Sequence, residues 1–123
     1  MKIEILGKGV EIDRDLRRFV EHRVDFALST RADHIDSVLV HLADIGTPDD
    51  PGDKSCLVHV RLHGLADVCV ENTDANLNLA VHRAVDRAGW TAARKILRQH
   101  RTVIASLFGE PLPGGLREPE RAA

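Results

Sequence analysis

The stretch Asp74–Leu107, DANLNLAVHRAVDRAGWTAARKILRQHRTVIASL, decides how the chain is read. Apolar and small residues recur at Leu77, Ala80, Val81, Ala84, Val85, Ala88, Ala92 and Ile96. Gaps of three and four are the period of a helix that buries one face. On such a helix Arg83, Arg87, Arg94, Arg98 and Arg101 fall in a second stripe, uninterrupted by an acid. From Arg83 to Arg101 there are six Lys or Arg residues and one acid, Asp86, a net +5. Residues 1–82 carry nine basic and fifteen acidic side chains. A formal net charge of −2 thus hides a basic helix on an acidic body. At roughly 1.5 Å per residue the stripe would be about 27 Å long. Guanidinium groups over that length suit a run of phosphates. An exposed face can also be charged because it is wet, or because acids elsewhere in the fold pair with it. Both readings stand on the residues alone.

Working outward from the helix, the 123 residues predict one domain, 1–108, followed by a flexible Gly- and Pro-rich tail, 109–123. Three Phe, one Trp and no Tyr argue against stacking of bases on an aromatic platform. Cys56 and Cys69 lie in strand-like runs without CxxC spacing and read as reduced, packed thiols, with a mutual disulfide an unforced alternative. The chain opens on a strand with no signal region, and no apolar run reaches membrane-spanning length, so a soluble cytoplasmic protein without a membrane partner is expected.

In chain order, Lys2–Leu6 predicts a strand, with Gly7 and Gly9 at a turn. Asp13 is the expected N-cap of a helix carrying Leu16, Phe19, Val20, Val24, Ala27 and Leu28 on its apolar side. The alternation over Ser37–Asp44 predicts a strand with Val38, Val40 and Leu42 on one face. An acidic, turn-rich loop leads to a strand over Cys56–His63, with Cys56, Val58, Val60 and Leu62 inward. A fourth strand is expected over Leu65–Glu71, and Asn72-Thr73-Asp74 should cap the long helix. The order β-α-β-β-β-α predicts an α+β fold. The first two strands should be parallel neighbours, joined by a right-handed crossover, and the rest connected by hairpins. Both helices should cover one face of a four-stranded mixed sheet.

The opening MKIEILGKGVEIDRDLRRFVEHRV, the segment AVHRAVDRA and this element order resemble the ribosome hibernation promoting factor family, which includes the ribosome-associated inhibitor and was once called sigma-54 modulation protein. Ile12, Leu16, Arg17, Phe19 and Val20 carry the resemblance in the first helix, and Ala80, Val81, Ala84, Val85, Asp86 and Arg87 in the last. The resemblance implies a fold like that of double-stranded-RNA-binding domains and a protein that binds the small ribosomal subunit where messenger and transfer RNA would sit. It acts there by occupation, and silences translation when growth stops. Arg83, Arg87, Arg94, Lys95, Arg98 and Arg101 would contact rRNA phosphates, with Arg14, Arg17 and Arg18 as further contacts. The length matches the short form of the family, without its C-terminal dimerisation domain. The chain departs from the family pattern at Asn78, at His82 and at Trp90-Thr91, where a polar pair is usual. Its pI near 6.4 is acidic for a short member.

Other constellations are weaker. His41, His59 and His63 should share the outer sheet face, with His59 and His63 about 13 Å apart, too far to hold one ion together. No catalytic motif is present, and Gly7-Lys8-Gly9 reads as a turn. No enzyme activity, cofactor, metal or small-molecule substrate is expected. Trp90 falls beside the arginine stripe, with Leu97 two turns on. Trp90 and Leu97 could anchor a protein partner, or weak self-association through the long helix; equally, the helix could overhang the sheet and the tail fold back to cover them. In the anchoring alternative the chain is an interaction module that ignores ribosomes.

Overall fold

Alternating apolar residues build the sheet, and the computed structural model shows which of them meet; it describes residues 1–46 and 52–107, and of 103–106 the backbone alone. Strands β1 (Lys2–Lys8), β2 (Ile35–Asp44), β3 (Lys54–Leu62) and β4 (Val68–Asp74) lie in the order β1-β2-β3-β4. β1 runs parallel to β2, and the two later pairs are antiparallel. Helix α1 (Arg14–Leu28) supplies the crossover, and a short 3-10 stretch, Ser29–His34, broken at Arg31, leads into β2. Helix α2 covers Leu77–Leu107. This is the expected α+β order, with the expected sheet. Contacts divide the chain into two units, Met1–Ala93 and the remainder from Arg94 onward.

Register explains the core of the first unit. Ile5 pairs with Val40, Val40 with Val58, and Val58 with Val70. The flanking rows add Val38, Val60 and Val68, then Leu42 and Cys56. Because the side-chain period of a strand is two, this whole set lies on one face. Val20, Val24 and Leu28 of α1 are buried with it, as are Ala80, Val81, Ala84, Val85, Ala88 and Ala92 of α2. Desolvating such side chains is the main stabilising term of the fold. The opposite face carries Leu39, His41, Leu57, His59 and Cys69, half-buried or exposed.

Asp13 caps α1 as expected: the Leu16 N–H donates to its Oδ1 at 2.8 Å. The strand and cap assignments near residue 70 need correction. β4 runs to Asp74, so Asn72 and Thr73 are paired with Cys56 and Ser55. His63 and Gly64, the latter with φ 73°, form a turn, and residues 65–67, expected to open the strand, follow it as irregular chain before β4 begins at Val68. The cap of α2 is Asn76, whose Oδ1 accepts from the N–H groups of Asn78 and Leu79. The cysteines also differ from expectation. Cys56 is buried but Cys69 is exposed, and they face opposite sides of the sheet. Both are free, and a bridge between opposite faces would need backbone movement. The expected tail, 109–123, lies outside the described residues.

Candidate nucleic-acid interface

Helix α1 turns its polar side outward because Val20, Val24 and Leu28 are held by the sheet. Arg14, Arg17 and Arg18 are all exposed on it. None of the three pairs with an acid among the described residues. On α2, burial of Ala80, Val81, Ala84, Val85 and Ala88 leaves Arg83 and Arg87 outside. These two differ in partners. Arg83 Nη1 lies 2.8 Å from Asp74 Oδ2, so an acid from β4 already engages it. Arg87 is exposed and has no ion-pair partner among the described residues. The pairing alternative raised by the sequence therefore holds at Arg83 and not at Arg87.

The unit that begins at Arg94 has its own pattern. Arg94, Arg98 and Arg101 are exposed and lie three and four residues apart, on one side of the helix. Lys95 is half-buried. Leu97 is 57% exposed.

Asp86, the acid inside the basic segment, is bound from two sides. Arg23 Nη2 lies 3.0 Å from its Oδ1, which ties α1 to α2, and His82 Nε2 lies 3.3 Å from its Oδ2. The Arg23 guanidinium also sits over the Phe26 ring, 5.5 Å from its centroid, a cation–π distance. At this crossing the two backbones come close: a Cβ on Gly89 would stand 3.1 Å from the Ala27 carbonyl oxygen. Beside the crossing an open cleft of about 440 Å³ is lined by Phe26, Ala27, Thr30, Arg31, Asp86, Gly89, Trp90 and Ala93. Phe26 is 78% exposed and Trp90 73% exposed.

Sequence reasoning put the arginines on the outer side of the helix and left open whether Trp90 was exposed or covered by the tail; among the described residues it stands exposed. It missed Phe26 and Arg31, which line one cleft with Trp90, and Arg23 as the partner of Asp86. One signal was available, since Phe26 is the large apolar residue of α1 that falls off its apolar face. The position of Arg31 depends on the 3-10 break and has no sequence signature.

On the outer sheet face His59 Nε2 lies 2.8 Å from Asp67, and His63 Nδ1 lies 3.6 Å from Asp36. Those histidines face acids and do not face one another. Among the described residues no group of three or more His, Cys, Asp or Glu is placed to hold a metal ion, and no helix is long and apolar enough to cross a membrane.

Solved structures share this fold. The N-terminal domain of Thermus thermophilus Protein Y is 28% identical, with a TM-score of 0.64, over 76% of this chain and 98% of that domain. A ribosomal subunit interface protein from Coxiella burnetii has the same TM-score at 18% identity, over 76% of this chain and 96% of that one. No protein-family model matches the sequence, and comparison with curated proteins gives no match. The Protein Y domain bears out the family resemblance read from the opening segment, the last helix and the element order, and the Coxiella structure shows the same fold.

Proposed function

We propose that this chain, sharing fold and sequence pattern with the hibernation factors, is a ribosome-associated translation inhibitor. It acts by occupying the messenger and transfer RNA site of the small subunit, without chemistry. The observation that supports this reading best is the set of exposed arginines without acid partners on the two helices of a fold shared with Protein Y. Arg14, Arg17, Arg18 and Arg87 would meet rRNA phosphates, as would Arg94, Lys95, Arg98 and Arg101. Arg83 contributes less, because Asp74 already neutralises part of its charge. Guanidinium groups suit this role through their fixed fork of donors and permanent charge.

Co-sedimentation with ribosomes and separated subunits, at low and moderate salt, tests the proposal. Salt-sensitive pelleting with the small subunit is the expected result, since each neutralised phosphate releases counterions. Joint reversal of Arg87 and Arg98 to Glu should nearly abolish it. Pelleting that survives this reversal would place the contact elsewhere. A second reading draws on the exposure of Trp90 and of Leu97, each of which could anchor a protein or a second copy. A concentration-dependent dimer, insensitive to salt and lost in Trp90→Ala, would favour it.

A further inference from the structure

Of the four aromatic side chains in the chain, Phe26 and Trp90 stand exposed in one cleft. We propose that this cleft binds a single unstacked nucleobase of an RNA strand, stacked on the Trp90 indole. The proposal rests on the ribosome-binding reading for the source of that RNA. It also reverses the expectation that so few aromatics exclude stacking, because what counts is where they stand.

The cleft has the chemistry of a base site more than that of a protein anchor site. Its apolar lining combines the two aromatics with the small residues Ala27, Gly89 and Ala93, and no large aliphatic side chain is among them. A flat heteroaromatic ring matches aromatic side chains, and stacking is tolerant of base identity. Among the remaining lining groups Arg31 Nη1 donates to Thr30 Oγ1 at 3.0 Å, which leaves its other guanidinium N–H groups as donors and the Thr30 hydroxyl proton to give. Each Asp86 oxygen, though engaged by Arg23 or His82, keeps a second lone pair as an acceptor. A base edge carries both donors and acceptors, so it can use all three. Asp86 is held by Arg23 and His82, which offsets its repulsion of a nearby phosphate. Arg87 lies one turn before Trp90, exposed and without an acid partner among the described residues, where it can meet the phosphate next to the base. The tight crossing of Gly89 and Ala27 bounds the cleft with backbone.

Trp90 is the sole tryptophan, so its intrinsic fluorescence reads the site directly. The full chain is titrated with a short single-stranded RNA and with an abasic strand of equal length and charge. The expected result is quenching by the base-containing strand, and an affinity for the abasic strand weaker by about 5- to 150-fold. By anisotropy of labelled RNA, Trp90→Ala should lose the same factor and Trp90→Phe should keep most of the affinity. Equal binding of both strands would overturn the proposal. So would a Trp90 signal that changes with protein concentration alone, which would assign the cleft to a second copy. Ribosome pelleting run in parallel separates the two readings. A Trp90→Ala protein that pellets like wild type, together with wild-type Trp90 fluorescence that the base-containing RNA leaves unquenched, refutes the base site and leaves the ribosome reading intact. Wild-type protein that fails to pellet at low salt refutes the ribosome reading, and the oligonucleotide titration then decides the base site by itself.

Discussion

The two cysteines show how much a single side chain's face determines. Cys56 is buried in the core, and loss of solvation pushes its thiol up to about 12 from 9.0. Its thiolate is disfavoured in the folded state, so the thiol should be inert. Cys69 stands exposed on the opposite sheet face. A thiol reagent should therefore modify one cysteine of the native protein quickly and the second only on unfolding, as counted by mass spectrometry. The raised value also has a sign for stability: its contribution is complete below the ordinary thiol pKa and is lost as pH rises from about 9 toward about 12. Asp44 works in the other direction. The backbone N–H groups of Gly46 and Gly52 donate to its Oδ1 at 2.9 and 3.0 Å, and Lys54 Nζ lies 3.3 Å from its Oδ2. These donors, the Gly46 N–H first, hold its carboxyl below the usual 3.8 against a smaller opposing effect of burial. The stabilisation is present above pH 3.8 and is lost as pH falls through the lower folded value. The Gly46 and Gly52 amides should keep their native chemical shifts in mild acid and lose them below that range. Loss at or above pH 4 would mean that the carboxylate does not hold the two strand ends.

At the scale of elements, the contact of α1 with α2 depends on Gly89. A helical Gly→Ala change normally gains about 1 kcal/mol from propensity. Here the added Cβ would meet the Ala27 carbonyl at 3.1 Å, and α1 is pinned to the sheet by Val24 and Leu28. Overpacking typically costs about 1–3 kcal/mol, so Gly89→Ala should leave the protein less stable by up to about 2 kcal/mol in urea unfolding. A gain in stability would mean that α1 gives way easily at this point. How far each element was legible follows from similar competitions. α1 and the core faces of β2 and β3 read correctly because their apolar periods are long and unbroken. The start of β4 did not, because Leu65 and Ala66 read as the apolar opening of a strand, whereas the chain leaves the turn at left-handed Gly64 as irregular backbone until Val68. Its end did not either, because Asn72, Thr73 and Asp74 have the composition of a helix cap. The pairing of Asn72 with Cys56 and Thr73 with Ser55, a non-local contact, outweighs that local preference. The arginines were legible by charge and phase. The cleft was not, because Phe26, Arg31 and Trp90 meet only through the crossing of two helices some sixty residues apart in sequence.

For the whole molecule, a pI near 6.4 argues against nonspecific attraction to RNA, so the distribution of charge has to carry any binding. Residues 1–82 are net acidic and the segment from Arg83 to Arg101 carries +5. An acidic body repels phosphate except where basic side chains lie close to it. Binding should then depend on a small number of neutralised phosphates, each individually visible in the salt dependence. For RNA-like partners the slope of log affinity against log salt falls by roughly 0.7–0.9 for each phosphate that is no longer neutralised. Arg87→Glu should flatten the slope for ribosome binding by about that amount. Arg83→Glu should flatten it by less, because Asp74 already holds that guanidinium at 2.8 Å. Its main effect should instead be a loss of up to about 1 kcal/mol of stability, the range of an exposed ion pair. If the two variants change the slope equally, Arg83 leaves Asp74 on binding and the ion pair is a resting position. If neither changes it, affinity comes from neither charge, and the exposed aromatic pair Phe26 and Trp90 becomes the stronger candidate for the interface.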